Sequence, residues 1–265
     1  MKIDLGWVCL ELLPRAPYSV QGASADWTFG FAFERQYGVH AVANDHRQDF
    51  DAWPGALACT PPGVDVFSES PRGGEYLTMH VSPSTLDKQQ SHITQTRRVF
   101  EGSRQAMELG LNLRRLLLAQ RPDGLQIEER AAALLAHSLA LLGHPVPAAA
   151  FPTATTRRLL SATLDRIEAD LPNPITLQTL AASAALSPLH FLRLFTKVVG
   201  ATPHAYISER RVQRARQMLR TSDESLATIA LDCGFAHQSH MGAAFKAQLG
   251  QTPLVYRSSS VKPGR

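Results

Sequence analysis

The sequence predicts an α+β chain: a β-rich N-terminal module followed by helices, then an all-α C-terminal region built from two copies of one helical motif. Two observations predict this division. Apolar residues form short runs before Pro83 and recur at helical spacing after it, and residues 180–256 repeat with a period near 50 residues. At 265 residues, 44% hydrophobic and 19% charged, the chain is long enough for two domains, each with its own core.

The N-terminal module consists of short apolar runs separated by glycine and proline. Residues 27–33, 37–42 and 76–81 form such runs, and turn signals such as Pro54-Gly55 and Gly73-Gly74 lie between them. This pattern predicts strands, and we expect β-structure over residues 1–83.

Downstream of residue 83 the apolar period changes to that of helices. Residues 103–120 and 126–142 are amphipathic segments, with a turn at Arg121-Pro-Asp-Gly124 between them. We expect helical structure over 84–143, where the helix pair either covers the β-module or offers an apolar stripe to a second subunit. The prolines and alanines of residues 145–152 then predict a linker.

The positive charge of the chain is concentrated after this linker. Residues 151–265 contain 14 Lys and Arg against 7 Asp and Glu, and subtraction from the chain totals of 27 and 23 leaves 13 against 16 for residues 1–150. A basic domain attached to a mildly acidic one is expected if only the basic domain must neutralise phosphates. A solvated basic surface gives the same balance, so charge alone does not decide between them.

Composition also narrows the cellular setting. No segment approaches the roughly 20 uninterrupted apolar residues that span a bilayer, and residues 1–10 lack the basic start and small-residue cleavage site of a secretory signal. The cysteines Cys9, Cys59 and Cys233 are odd in number and far apart, which predicts reduced side chains. We therefore expect a cytoplasmic protein with no membrane contact.

The C-terminal region repeats itself. Six residues of the first copy recur 50 positions later: His190, Phe195, Gly200, Thr202, Pro203 and Tyr206 as His240, Phe245, Gly250, Thr252, Pro253 and Tyr256. Upstream of these positions the separation is 49, so the turn of the second copy has one residue more. The repeat predicts two copies of one supersecondary unit.

Each copy is typical of a short helix, a turn and a second helix. The short helices are predicted over 177–185 and 226–233, and Ser187-Pro188 supplies a cap and a first-turn proline for the next helix. Ten apolar residues are expected to face inward: Leu180, Ala184, Leu186, Leu192 and Phe195, then Ile229, Cys233, Phe235, Ala244 and Phe245. The outward residues are polar donors of the kinds that contact bases and phosphates: His190, Arg193 and Lys197, then Gln238, Ser239, His240 and Lys246.

These residues resemble the AraC/XylS class of transcription regulators. The resemblance rests on Ser187-Pro188-x-His190-Phe191 and Thr202-Pro203-x-x-Tyr206, then on Cys233-Gly234-Phe235 and Gly250-x-Thr252-Pro253-x-x-Tyr256-Arg257. It implies an all-α tandem helix-turn-helix domain that binds double-stranded DNA. A long connecting helix, residues 203–220, would hold two recognition helices in successive major grooves, about 34 Å apart.

The resemblance places the DNA contacts at eight positions: Ser187, His190, Arg193, Lys197, Gln238, Ser239, His240 and Lys246. Ala185 stands where the family often has glycine, and Ala243 stands where the second motif commonly carries arginine, so the second helix is expected to read bases weakly. His190 could instead cap or pack, and Lys246 could contact a phosphate. Four arginines of the connecting helix are expected to be mainly solvated surface with some internal pairing, for instance to Glu209: Arg211, Arg214, Arg216 and Arg220.

Relatives of this class carry an N-terminal cupin-like β-barrel followed by helices, for ligand sensing and dimerisation, and residues 1–83 are similar to that arrangement. The expected domains are a cupin-like sensor and dimerisation domain over 1–145, a linker over 146–154, the tandem domain over 155–258 and a tail over 259–265. The resemblance also implies a homodimer and RNA polymerase as a partner. A small-molecule effector stays open, and the sequence does not identify residues that bind it.

A cupin-type enzyme would need a metal centre, and the candidate ligands fit no recognisable pattern: His40, His46, His80, His92, Glu34 and Glu75. The sequence contains no nucleophile elbow, phosphate loop or His-Glu-x-x-His segment. We therefore expect no catalytic residue, metal or cofactor. Six aromatic residues either line an apolar pocket or form plain core: Trp27, Phe29, Phe31, Phe33, Trp53 and Phe67.

Three functions remain open at this point. The favoured one is a DNA-binding regulator whose N-terminal domain dimerises and responds to a small molecule. The second is a cupin-type enzyme fused to a DNA-binding domain. The third is an effector-independent regulator whose N-terminal domain binds a protein partner.

Overall fold

The structure, a computed structural model, describes residues 1–86, 94–120, 123–143 and 154–260. It divides into two compact units, Met1–Ala148 with Ala185–His190 and Ala149–Ala184 with Phe191–Arg265. Several sequence predictions fall outside the described residues: the linker as far as residue 153, the tail from 261, Arg121 and Pro122 of the predicted turn, and His92.

The described part of the N-terminal unit contains ten strands in two antiparallel sheets. They are β1 (Lys2–Asp4), β2 (Val8–Leu13), β3 (Tyr18–Ala23), β4 (Trp27–Ala32), β5 (Gln36–Val42), β6 (Gln48–Ala52), β7 (Leu57–Thr60), β8 (Asp65–Ser70), β9 (Tyr76–Val81) and β10 (Arg98–Phe100). The six-stranded sheet has the order β1-β2-β9-β4-β7-β10, and the four-stranded sheet has the order β3-β8-β5-β6.

The strand pairs are nested in the chain. β2 pairs with β9, β3 with β8, β4 with β7 and β5 with β6, and successive pairs alternate between the two sheets. This is the connectivity of a double-sheet jelly roll, the architecture of cupins, so the cupin-like prediction is confirmed. The prediction of a closed barrel is not confirmed, because no hydrogen-bonded strand pair among the described residues joins the two sheets. The strands β1 and β10 extend the edges of the six-stranded sheet.

Two helices, α1 (Arg104–Leu117) and α2 (Gly124–Leu141), cover one face of the six-stranded sheet. Phe29 and Phe31 are fully buried there, and α1 approaches so closely that a Cβ on Gly110 would lie 2.4 Å from the Phe31 ring. On α2, Glu128 accepts a hydrogen bond of 3.2 Å from the Trp7 indole N–H. Of the two roles that the sequence leaves open for this helix pair, covering the β-module is therefore confirmed.

The sequence predicts helical structure over residues 84–143, but the structure places a strand, β10, within this range. The prediction is therefore wrong for this part of the chain. This strand pairs antiparallel with β7, from Arg98 opposite Cys59 to Phe100 opposite Leu57. The sequence gives no local signal for this strand, because a run of three residues is too short to show an alternating apolar pattern. The strand forms by pairing with a partner some 40 positions away.

The C-terminal region consists of helices in its described part. They are α3 (Ala154–Asp170), α4 (Leu177–Ser183), α5 (Pro188–Val199), α6 (Pro203–Thr221), α7 (Leu226–Asp232), α8 (Gln238–Leu249) and α9 (Pro253–Ser260). One core packs α6 against α7 and α8 through fully buried residues that include Val212, Ile229 and Phe245. Among the described helices, none is both long and apolar enough to cross a membrane.

Candidate nucleic-acid interface

Two helix-turn-helix motifs of matching size lie on either side of α6. In the first motif α4 has seven residues and α5 has twelve, and in the second α7 has seven and α8 has twelve. The helix between them, α6, has 19 residues. At about 1.5 Å per residue its length is about 28 Å.

The recognition helices α5 and α8 end in the same way. Gly200 and Gly250 stop them with φ values of 80° and 72°, in the left-handed region that glycine adopts without strain. Two residues later, Thr202 and Thr252 cap the next helix by accepting backbone N–H bonds of 3.3 and 3.4 Å from the third residue along. The repeat seen in the sequence is therefore a repeat of helix ends as well.

One aromatic pair anchors each recognition helix to the helix that follows it. Phe195 meets Tyr206 edge to face with ring centroids 5.9 Å apart, and Phe245 meets Tyr256 in the same way at 5.3 Å.

Most residues predicted to face inward are buried, but Leu186, Leu192 and Ala244 are only partly buried. Phe191 and Met241, which correspond to each other in the repeat, are fully buried and were missing from that prediction.

The turns of the two motifs contain different residues at the equivalent position, and both residues have a positive φ in the left-handed region. Ala185 has a φ of 53° and Gly234 a φ of 84°. A Cβ on Gly234 would lie 2.1 Å from the carbonyl oxygen of Leu171, so this turn admits only glycine. An alanine in the left-handed region costs about 1–2 kcal/mol, so the first turn carries backbone strain that the second does not.

The recognition helices are capped at equivalent positions by unlike side chains. Ser187 accepts the backbone N–H of His190 at 3.4 Å, and the Nδ1 of His237 accepts the backbone N–H of His240 at 3.2 Å. Sequence reasoning missed His237, although it lies 50 residues after Ser187 and the repeat could have revealed it. The cap requires a His237 ring that carries no proton on Nδ1.

In the first motif, the predicted contact residues share one face of α5. His190 and Lys197 are exposed, and Arg193 between them is partly buried, at spacings of three and four residues that bring side chains together on a helix. Burial lowers the pKa of Arg193, but an arginine keeps its charge at neutral pH. Ser187 is partly buried at the start of the same helix.

In the second motif, the predicted residues are less alike in exposure. Gln238, Ser239 and Lys246 are exposed. His240 is partly buried, and its ring meets the buried ring of Phe235 edge to face at 5.3 Å. Ala243 is exposed at the position equivalent to Arg193, so α8 offers fewer long donors than α5.

Two arginines of α6 form bonds within the domain, whereas the sequence predicts mainly solvated surface with some internal pairing, for instance to Glu209. Arg211 donates to the carbonyl oxygens of Leu171 and Asn173, each at 3.0 Å. The guanidinium of Arg216 lies 5.5 Å from the ring centroid of Tyr256 and donates to its hydroxyl at 3.3 Å. These partners lie some 40 positions away in the chain, where helical spacing carries no information, whereas Arg214 and Arg220 are exposed as expected.

The residues considered as metal ligands are dispersed in the N-terminal unit. Glu34 pairs with Arg15 at 3.9 Å and Glu75 pairs with Arg114 at 2.7 Å. Within the described residues, no three His, Cys, Asp or Glu side chains come together as a metal site would require.

The aromatic residues and cysteines of the chain mostly belong to its cores. Four of the six aromatic residues considered for a pocket are buried, Phe67 is partly buried and Trp53 is 60% exposed. The three cysteines are free, and burial raises the pKa of Cys59 to about 12 and that of Cys233 to about 11.

Comparison with known proteins assigns the C-terminal region. A family model described as a helix-turn-helix domain matches residues 180–259. The transcriptional regulator Rob of Salmonella typhimurium is 38% identical over 94 residues, which cover 36% of this chain and 32% of that protein. Residues 180–259 therefore form a helix-turn-helix domain.

Two further matches cover the same region of the chain. The transcriptional regulator AlkR of Acinetobacter baylyi is 35% identical over 108 residues, or 41% of this chain and 35% of that protein. The crystal structure of a regulator with an AraC-type DNA-binding domain from Chromobacterium violaceum is 28% identical, covers 42% of this chain and 100% of that one, and has a TM-score of 0.39. The chain spans about a third of the length of the curated relatives it matches.

Proposed function

We propose that this protein is a sequence-specific transcription regulator that binds double-stranded DNA through α5 and α8. The observation that carries the proposal is the doubled motif. The two recognition helices have equal length, end at left-handed glycines and are anchored by the same aromatic pair, while polar donors lie on their outer faces. Proteins with a matching domain are named as transcriptional regulators.

The dimensions of the domain support binding of both helices to one face of DNA. The 19 residues of α6 span about 28 Å, close to the roughly 34 Å that separates successive major-groove turns. The excess of seven positive charges in residues 151–265 suits a phosphate surface. Contacts are proposed for Ser187, His190, Arg193, Lys197, Gln238, Ser239, His240 and Lys246.

The proposal gives the N-terminal unit a sensing and dimerising role, with no catalysis. The jelly roll supports sensing because such folds enclose ligand sites. Leu111 on α1 is 39% exposed and Leu118, the C-cap of that helix, is 59% exposed, and their spacing of seven residues puts them on one side of the helix. The same proposal includes a homodimer contact at these leucines and domain boundaries near residues 145 and 155. It also includes a cytoplasmic location and RNA polymerase as a partner.

The experiment that tests DNA binding is selection from fragmented genomic DNA by the purified full-length protein, with sequencing of the bound fragments. The expected result is a shared motif with two blocks about one helical turn apart. Recovery of fragments with no shared motif, at equal affinity for all DNA, would contradict sequence-specific regulation.

A salt series on a selected fragment tests the assigned surface. Each phosphate contact that is lost should reduce the slope of log affinity against log salt by about 0.9. The variant K197A/K246A should therefore lower the slope by about 2. R104A removes a charge exposed on α1 and should leave the slope unchanged, and an equal effect of both changes would reject the assignment to α5 and α8.

Metal analysis of the purified protein separates the regulator from the fused enzyme. The sensing role predicts no stoichiometric metal, and a tightly bound metal with activity on a small molecule would favour the enzyme.

A further inference from the structure

His237 caps the second recognition helix through one of its two ring nitrogens. It precedes α8 in extended backbone, and its Nδ1 accepts the backbone N–H of His240 at 3.2 Å. A neutral imidazole carries one proton, and the nitrogen that accepts a hydrogen bond is not the one that carries it. The proton of the capping ring is therefore on Nε2, which makes this atom a hydrogen-bond donor.

The ring of His237 belongs to a row of three rings that is anchored in the core of the second motif. Its centroid lies 6.0 Å from that of His240, and the ring of His240 meets Phe235 edge to face at 5.3 Å. Phe235 is 3% exposed and belongs to the core that packs α6 against α7 and α8. Together with the cap, these contacts restrict the orientation of the His237 ring, so its donor loses little conformational entropy on binding.

The Nε2 donor is available to a molecule outside the domain. Among the residues that the structure describes, no group accepts a hydrogen bond from this atom. The side chain of His237 is partly exposed, and the residues on either side of it, Ala236 and Gln238, are exposed.

The repeat puts His237 at the position of a proposed DNA contact. It lies 50 residues after Ser187, and both side chains cap a recognition helix of twelve residues. The contacts proposed for α5 begin with its cap, whereas those proposed for α8 begin one residue after its cap, at Gln238. His237 is therefore the missing counterpart of Ser187 in the second motif.

The spacing of polar residues along each recognition helix favours a phosphate as the acceptor. Lys246 lies nine residues after His237, about 13 Å along a helix, and Lys197 lies ten residues after Ser187, about 15 Å. The major groove of B-DNA is about 12 Å wide and is bordered by a phosphate backbone on each side. A helix in the groove can therefore bring each of its ends to a backbone, where uncharged side chains also serve as donors.

We propose that His237 is a further DNA-contacting residue, whose Nε2–H donates to a phosphate while its Nδ1 caps α8. This inference rests on the proposed function, because it adds a contact to the same interface. The contact gives the start of α8 an anchor to the DNA backbone, in a helix where Ala243 supplies no long donor.

The substitution H237G removes the donor and largely spares the cap. Glycine is tolerated at the capping position, so H237G should unfold at a urea concentration only slightly below that of the parent. Its affinity for a selected DNA fragment should fall about 3- to 10-fold, the range for one uncharged hydrogen bond. Unrelated DNA should show the same factor, because a phosphate contact carries no sequence information.

T252G is the matched control for loss of a capping side chain. Thr252 caps α9 in the same motif by accepting the backbone N–H of Val255 at 3.4 Å. T252G should leave DNA affinity unchanged. An equal fall in affinity in both variants, or parental affinity in H237G, would overturn the proposal.

A salt series tests the uncharged character of the contact. H237G should keep the parental slope of log affinity against log salt, whereas K246A should reduce that slope by about 0.9. A reduced slope in H237G would mean that the residue contacts DNA as a cation, which the capping ring excludes.

Uncharged methylphosphonates, introduced one at a time into the selected fragment, locate the acceptor. At one phosphate beside the α8 half-site, the replacement should weaken binding by the parent but not weaken binding by H237G further, because the variant already lacks the contact. Losses that add to that of H237G at every phosphate would contradict the assignment.

The same measurements separate this inference from the proposed function. A parent protein that selects a shared motif, with H237G equally tight, would reject the His237 contact alone. Equal binding of all DNA by the parent, with uniformly weaker binding by H237G, would support the contact and reject sequence-specific regulation.

Discussion

In the first motif, α5 presents His190, Arg193 and Lys197 on one face, whereas in the second motif α8 presents Gln238, Ser239 and Lys246. Beneath these surfaces the two motifs are alike, with the same helix lengths and the same phenylalanine–tyrosine contact. The positions that fold the motif are therefore repeated and those that face outward are not. We infer that the two motifs fold alike but contribute unequally to DNA recognition.

The largest expected effect concerns the shared interior. Phe195 and Phe245 are both 0% exposed, so F195A and F245A should each lower the free energy of unfolding by about 3–5 kcal/mol. Urea unfolding followed by circular dichroism measures both. Losses that differ by more than about 2 kcal/mol would break the likeness of the two interiors, because equal packing predicts equal cavity costs.

Substitutions in the turn of the second motif should lower the free energy of unfolding through steric clash and backbone strain, not through a cavity. G234A forces a Cβ to within 2.1 Å of a backbone oxygen at positive φ, and we expect it to cost about 2–4 kcal/mol of unfolding free energy. G250A is the matched control, because its φ is also positive but nothing lies within 4 Å of the added Cβ. Equal losses in the two variants would show that backbone strain alone, with no steric clash, sets the cost.

The outer surfaces are compared through DNA affinity. R193A should weaken binding to a selected site by about 1–3 kcal/mol and leave binding to unrelated DNA nearly unchanged, as for a base contact. R214A, an exposed arginine of α6, is the matched control and should have little effect on sequence preference. A uniform loss on all sequences would reassign Arg193 to the phosphate backbone.

The N-caps of α5 and α8 provide a finer comparison. H237A removes the acceptor for the His240 N–H and should cost about 0.5–2 kcal/mol of unfolding free energy, while H237S supplies the kind of cap that Ser187 forms and should recover most of it. If H237S is no more stable than H237A, the capping bond does not carry the effect.

The smallest expected effect is at the first turn. A185G relieves an alanine of its positive φ, but the gain is partly offset because glycine is more flexible in the unfolded chain. We expect a net stabilisation of about 0.5 kcal/mol in urea unfolding. A net destabilisation would mean that Ala185 is not strained in the way that its backbone angle indicates.

Local and repeated features of the chain could be predicted from its sequence. The short first helices of both motifs and the connecting helix begin and end within two residues of their predicted limits, because caps, left-handed glycines and apolar spacing are short-range signals. The repeat of 50 residues also located the outward faces. The cupin-like module followed from the family resemblance and from alternating runs such as β9.

Features that depend on remote partners could not be predicted. The nesting of strands joins Val8 to Val81, and the bonds of Arg211 to the Leu171 and Asn173 carbonyls cross about 40 positions. Nothing near Arg97 in the sequence indicates its hydrogen bond to the hydroxyl of Thr60, because Thr60 lies 37 positions away on β7. Such contacts follow from topology, which a single sequence does not specify.

The inequality of the two motifs is tested most directly by a scan of single base-pair substitutions across a selected DNA site, measured with the parent protein and with R193A. We predict costs of about 1–3 kcal/mol in the half-site contacted by α5 and less than about 1 kcal/mol in the other, with R193A flattening only the first. Equal costs in both half-sites, or an R193A profile that shifts uniformly without changing shape, would contradict the account.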